Sequence, residues 1–173
     1  MPTNVEIKAK VRNPARLRSL AEALALTPGQ LIVQDDTFFT VPYGRLKLRK
    51  FSSKSAELIY YEREDGPGPK ESRYSISRTS EPDSLKAVLQ QSLGVLGSVR
   101  KERTLYLVGQ TRIHLDEVEG LGPFVELEVV LQTHQPPADG IQIARELMAK
   151  LEIQDSDLVE QPYVDLLLAG GEL

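Results

Sequence analysis

The 173-residue sequence contains no cysteine. That absence removes a disulfide framework, a thiolate metal site and a thiol nucleophile together, and it leaves a cytoplasmic, reducing compartment as the default expectation. The N-terminal MPTNVEIKAKV lacks the apolar run of a signal peptide. No stretch approaches the ~20 apolar residues that span a bilayer, so no membrane partner is expected. A formal net charge of −4 gives no general attraction to nucleic acid. There is no linker that would divide the chain, no repeat and no low-complexity tract, so residues 1–173 read as a single domain. No Ser or His stands in a recognisable relay, and no covalent intermediate is expected.

What remains is a globular composition, 40% hydrophobic and 27% charged, in a chain long enough to bury a core without staples. Its dominant pattern is alternation. Asn4 to Val11 places Val5, Ile7, Ala9 and Val11 on one side and Asn4, Glu6, Lys8 and Lys10 on the other, as in a strand with one apolar face. Asn13-Pro14 then supplies an N-cap and a proline at the first helical position, and Leu17, Leu20, Ala21 and Leu24 continue a helix to about Leu26. Further strands are predicted over Gln30–Phe39, Arg45–Arg49, Ala56–Arg63, Ser72–Arg78 and Val99–Val108. Helices are predicted over Ser84–Leu93, Ile141–Leu151 and Ser156–Leu168, the last kinked or divided at Pro162. Glu64–Glu71 (EDGPGPKE) reads as a turn or mobile loop, and Gly170–Leu173 as a fraying tail.

The stretch from Arg112 to Leu131 forms two further strands joined across Gly120-Leu121-Gly122. Arg112, His114 and Asp116 share a face on the first, and Phe124, Glu126, Glu128 and Val130 share a face on the second. Ile113, Leu115, Val118, Val125, Leu127 and Val129 form the opposite, apolar side. Asp116, Glu126 and Glu128 therefore place three carboxylates within thirteen residues, a candidate cation site. A hairpin with water on one side shows the same pattern, and alone it favours a solvated face.

The other strands change that balance, because nearly all of them pair an apolar face with a charged one. Besides the three carboxylates, the charged faces hold Glu6, Lys8, Lys10, Arg45, Lys47, Arg49, Arg63, Arg73, Lys101 and Arg103. An α+β fold follows, with about eight mostly antiparallel strands and three or four helices. If the sheet closes into a barrel, the charged faces line its interior, the helices cover the apolar outside, and no edge is exposed. An eight-stranded barrel has room for one small ligand. Many basic groups beside a few clustered carboxylates suit a polyanion accompanied by a divalent cation.

NVEIKAKV, Gln34–Phe39 followed by GRLKLRK, LIYYERED, VRKERTLY and RIHLDEVEGLGPFVELEVVL together resemble the CYTH superfamily of triphosphate tunnel metalloenzymes, over Asn4 to about Leu168. HLDEVEGLGPFVELE and GRLKLR are most similar to the class IV adenylyl cyclase-like branch; thiamine triphosphatases are relatives. The resemblance implies an eight-stranded antiparallel tunnel open at both ends. It implies Mg²⁺ or Mn²⁺ held by Glu6, Asp116, Glu126 and Glu128, and a triphosphate held by Lys8, Arg45, Lys47, Arg63, Lys101 and Arg103. Lys8, Lys101 and Arg103 are the catalytic candidates. One position departs from the family's ExExK signature, since its first Glu is Asn4 here. Arg49, Lys10 and Arg73 are expected to edge the tunnel, His114 to be a structural hydrogen-bonding residue, and Tyr60 and Tyr61 to be packing or rim residues. The implied activity is conversion of ATP to cyclic AMP and pyrophosphate. The alternatives are hydrolysis of inorganic or thiamine triphosphate, and binding of a triphosphate without turnover. Class IV-like members are often dimers, which makes a homodimer the expectation carried by the resemblance.

Overall fold

The computed structural model describes residues 2–64 and 68–170. Eight antiparallel strands close into a barrel: β1 (Thr3–Lys10), β2 (Gln30–Phe39), β3 (Arg45–Ser52), β4 (Ser55–Arg63), β5 (Lys70–Thr79), β6 (Val95–Val108), β7 (Thr111–Val118) and β8 (Gly122–Val130). Their order around the barrel is β1-β5-β4-β3-β2-β6-β7-β8, and β8 pairs back onto β1. Four helices lie outside it: α1 (Pro14–Leu24), α2 (Pro82–Leu93), α3 (Pro137–Lys150) and α4 (Tyr163–Leu168). None of the described helices is long and apolar enough to cross a membrane.

The two-residue period explains the closure. Outward apolar residues Ile7, Ala9, Ile113, Leu115, Val125 and Leu127 pack beneath Leu17 and Ala21 of α1 and Leu147 and Met148 of α3. Asn13 starts α1 as the sequence suggests, its side chain accepting from the Arg16 N–H at 3.1 Å. Charged residues of opposite parity turn inward. Val118 is one of these inward residues, because it shares parity with Asp116, and it does not belong to the outer apolar face.

Boundaries shift where tertiary pairing outweighs local pattern. Lys70 and Glu71, expected in a loop, open β5 by pairing with Glu6 and Val5; residues 65–67 of that loop lie outside the described residues, as do 171–173 of the tail. β6 begins at Val95 because its start pairs with Phe39 through a bulge. The expected helix from Ser156 is instead a 3-10 turn (Asp155–Asp157), an extended strap (158–162) and then α4. The strap is extended because it pairs with β1: the Val159 N–H donates to Lys8 O at 2.9 Å, and Leu158 bridges Ala9.

Beyond the strap, α4 crosses one mouth of the barrel. Val164 and Leu166, with Tyr163, bury the inward residues Phe38, Val99, Val118 and Phe124. Gly97 permits this approach, since a Cβ there would lie 2.8 Å from Val164 Cγ2. This mouth is therefore covered, where the family resemblance implies an open one.

Candidate active site in the barrel interior

Register brings the acidic residues to one wall. Glu128 on β8 stands opposite Glu6 on β1 and Arg112 on β7; one step along, Glu126 stands opposite Lys8 and His114. Glu126 Oε2 accepts from Arg103 Nη2 at 2.7 Å, its Oε1 lies 3.7 Å from Lys8 Nζ, and Glu128 Oε2 accepts from Arg112 Nε at 2.9 Å. The Glu6 carboxyl is pushed up to about 7, first by removal from water and then by repulsion from Glu128 and Glu126. Burial would raise Glu126 as well, but Arg103, the neighbouring His114 and Lys8 hold it well below the usual carboxylate range.

Asp116 on β7 stands opposite Arg103 on β6. Arg103 engages both of its oxygens, at 2.7 and 2.8 Å, and the Tyr163 hydroxyl donates to Oδ2 at 3.0 Å. Tyr163 enters from α4 and also sets its ring 4.0 Å from Lys8 Nζ and 5.1 Å from Lys101 Nζ.

The basic wall is organised by Asp36, which is 1% exposed. Arg49 grips it through Nε and Nη2, each at 2.9 Å, while Lys101 Nζ stands at 3.5 Å and Lys47 Nζ at 3.9 Å. Burial works against its charge, but Arg49, Lys101 and Lys47 overcome that and hold the carboxyl far below its ordinary range. Lys47 is lowered to about 7 by burial and by the neighbouring Arg49, and Lys8 to about 8 by burial. Three cations surround one carboxylate, so the wall keeps an excess of positive charge.

At the edge between β1 and β5 the strap presents carbonyls to the remaining basic residues. Lys8 Nζ donates to Gln161 O at 3.2 Å, and Arg63 Nη2 and Lys70 Nζ donate to Glu160 O, each at 3.3 Å.

The structure thus brings Glu6, Lys8, Lys47, Arg63, Lys101, Arg103, Glu126 and Glu128 around one cavity of about 260 Å³. Arg45 is not among its lining residues; its Nη2 is held by Asp165 of α4 at 2.7 Å. Arg49, expected at the edge, is central. Arg73 faces outward and lies 3.6 Å from Glu71, because Ser72 and Tyr74 are the residues of β5 that point in. Asp36 was legible as a strand residue only, since Asp35 beside it offers the opposite face equally well. Tyr163 carried no signal, because its position depends on the strap.

Two buried polar atoms on the acidic wall have no hydrogen-bond partner among the described residues: His114 Nδ1 and Asn4 Oδ1. His114, Glu126 and Glu128 offer ligand atoms all within 4.8 Å of one another and could hold a metal ion. At the mouth away from α4 the inward residues are largely apolar, among them Ile32, Phe51, Ile76 and Leu105.

A closed antiparallel tunnel with one acidic and one basic wall is the class of protein these observations define. A family model, the CYTH domain, matches residues 2–163, and the chain belongs to that family. Its fold is similar to that of the PH1012 protein of Pyrococcus horikoshii OT3, with a TM-score of 0.85 and 23% identity, covering 94% of this chain and 98% of that one. It is also similar to a candidate adenylate cyclase from Vibrio parahaemolyticus (TM-score 0.77, 20% identity, 95% and 97% covered). A third is a candidate adenylyl cyclase from Hippeastrum described as having a dominant triphosphatase activity (TM-score 0.68, 17% identity, 98% and 97% covered). No curated protein matches the sequence.

Proposed function

We propose that the chain acts as a single CYTH domain in the cytoplasm and is a metal-dependent phosphoryl-transfer enzyme. Its substrate is an organic triphosphate, and its reaction is that of a class IV-type adenylyl cyclase, from ATP to cyclic AMP and pyrophosphate. The observation that carries this reading is the shared cavity, in which Lys47, Arg49, Lys101 and Arg103 face the carboxylates of Glu6, Glu126 and Glu128. Cations of that number are suited to the oxygens of a polyphosphate. The apolar mouth at Ile32, Phe51, Ile76 and Leu105 supports an organic group on the triphosphate, for which a bare polyphosphate has no use.

The acidic wall fits Mg²⁺ or Mn²⁺. The Glu6 carboxyl is raised first by burial and then by repulsion from Glu128 and Glu126, a repulsion that a cation would relieve, and the Asn4 Oδ1, unpartnered among the described residues, is a further hard donor. A divalent cation bound there supplies neutralisation of the charge on the phosphate oxygens. The protein's own groups do the rest. Asp36 and Asp116 hold Arg49 and Arg103 in fixed orientations, so little reorganisation accompanies charge development at phosphorus. Lys8, lowered to about 8, can exchange a proton near neutral pH. As the ribose 3′-hydroxyl oxygen bonds to the α-phosphorus and the bond from that phosphorus to the pyrophosphate oxygen breaks, Lys8 in its neutral amine form takes up the hydroxyl proton and becomes the ammonium.

Hydrolysis of the triphosphate is the second reading, and Asn4 favours it: a neutral side chain stands at the head of the acidic wall, and attack by water demands less positioning than ring closure. Incubation with ATP, thiamine triphosphate and tripolyphosphate, with Mg²⁺ or Mn²⁺, separates the two. Cyclic AMP from ATP supports cyclase action, and orthophosphate supports hydrolysis. Binding of a triphosphate with no product from any of them would overturn both.

A further inference from the structure

We infer that His114 is a ligand of the cation held by Glu126 and Glu128, and that its nitrogen donor biases the centre toward first-row transition ions such as Mn²⁺ over Mg²⁺. The inference rests on the metal-dependent reading above and specifies what that centre is made of.

Position comes first. His114 on β7 is directly opposite Glu126 on β8, and Glu128 points to the same side two residues on. Their ligand atoms all lie within 4.8 Å of one another. Donors bound to one ion at about 2.0–2.2 Å lie about 3 to 4.4 Å apart, so the three side chains would close in around the ion.

The state of the imidazole is the second, independent observation. His114 is 5% exposed, and Nδ1 has no partner within hydrogen-bond distance among the described residues. The nearest carboxylate oxygen, Glu126 Oε2, is 3.8 Å away and already accepts from Arg103. A structural histidine at this depth would have Nδ1 satisfied; this one is left aimed at the acidic wall. Arg103 and Arg112 take the Oε2 atoms, which leaves on that wall Glu128 Oε1 and, facing the Lys8 ammonium at 3.7 Å, Glu126 Oε1. The positive charge of Arg103 is matched by Asp116, so it does not by itself bar a cation.

The donor set then decides the ion. Mg²⁺ favours an all-oxygen shell and keeps several waters, whereas an imidazole nitrogen raises affinity for transition ions along the Irving–Williams series. One nitrogen beside two carboxylates is therefore a centre that accepts either ion but favours transition ions over Mg²⁺, with Mn²⁺ at the weak end of that preference.

The sequence supplies its own control, because it contains two histidines and the other, His134, is exposed in the loop after β8. With ¹⁵N-labelled histidine, titrating Zn²⁺ into the wild-type protein without substrate should shift the His114 Nδ1 resonance and leave His134 unchanged. An unshifted His114 would overturn the inference. Mn²⁺ and Mg²⁺ affinities, measured by Mn²⁺ EPR and competition, should show His114→Gln losing at least about tenfold in Mn²⁺ affinity while Mg²⁺ affinity holds. An unchanged ratio would also overturn it. Glu126→Gln tests the underlying reading separately: loss of both ions supports a metal centre there. Unchanged binding of both ions would overturn that reading and this inference together.

Discussion

Arg103 and Asp116 face each other across β6 and β7 in a bidentate ion pair, Nε to Oδ1 at 2.7 Å and Nη2 to Oδ2 at 2.8 Å, with side chains 4% and 0% exposed. The same Nη2 reaches Glu126 at 2.7 Å. Asp116 thereby fixes the guanidinium that links the acidic wall to the interior, and both of its own oxygens accept hydrogen bonds. A carboxylate in that position orients Arg103.

Asp116→Ala should therefore be a stability variant first. It leaves a buried guanidinium with Glu126 as its one carboxylate partner, and loss of a buried charge partner costs about 3–5 kcal/mol. Urea unfolding measures this. A variant of near wild-type stability that has lost metal affinity would restore Asp116 to the cation site.

Stability in the absence of ligand should depend on pH through two groups with opposite signs. Glu6 keeps its proton to about 7 in the fold, against an ordinary 4.5, so it lowers stability as pH rises from about 4.5 to 7 and the full cost is present above that. Lys47 titrates at about 7 against 10.5, so its cost is full below about pH 7 and fades as pH rises to 10.5. Relative to wild type, Glu6→Gln should gain about 1–3 kcal/mol above pH 7 and nothing below 4.5. Lys47→Met should show the reverse order, gaining at pH 6 and losing the advantage by pH 10.5. Unfolding curves across pH that show a constant difference for either variant would contradict the assigned titration.

The barrel was legible because alternation survives wherever one face of a strand is buried and the other is charged. Every strand of the barrel was found, most of them from that pattern, and the acidic wall, Glu6 with Glu126 and Glu128, followed from parity once the sheet was closed. Two features were hidden for physical reasons. Asp35 and Asp36 are neighbours on opposite faces, and only pairing of β2 with β3 and β6 decides that Asp36 points in. Leu158 and Val159 have apolar side chains compatible with a helix, yet their conformation is set by backbone pairing with β1, which no local pattern encodes. The position of Tyr163 follows from that pairing.

Arg45 and Lys47 adjoin on the inward face of β3 but should behave differently. Arg45 is tied to Asp165 with both side chains 32% exposed, a pair worth about 0–1 kcal/mol. Arg45→Ala should slightly loosen α4 and change tripolyphosphate affinity by no more than about twofold. Lys47→Ala removes a cation from the basic wall, and a charge-assisted contact to phosphate is worth about 1.5–3 kcal/mol, or tenfold and more in affinity. Calorimetric titration of both variants decides the matter; an equal loss in the two would place Arg45 among the phosphate contacts.

Tyr163 connects α4 to the acidic wall through two separable contacts. Its hydroxyl donates to Asp116 Oδ2 at 3.0 Å, and its ring stands edge-on to Phe124 with centroids 5.0 Å apart while facing Lys8 Nζ at 4.0 Å. Tyr163→Phe deletes the first contact and keeps the second, and should lose about 1.5–3 kcal/mol because the acceptor is charged. If that loss comes from the bond to Asp116, it should shrink in an Asp116→Asn background, giving a coupling energy of about 1 kcal/mol or more in a double-mutant cycle. Additivity within about 0.5 kcal/mol would mean that the hydroxyl contributes independently of Asp116. Tyr163→Leu should lose more than Tyr163→Phe, because it also removes the aromatic face beneath Lys8, a contact worth about 0.5–2 kcal/mol. Equal losses for the two would confine the role of Tyr163 to its hydroxyl and leave the ammonium of Lys8 held by Gln161 and Glu126 alone.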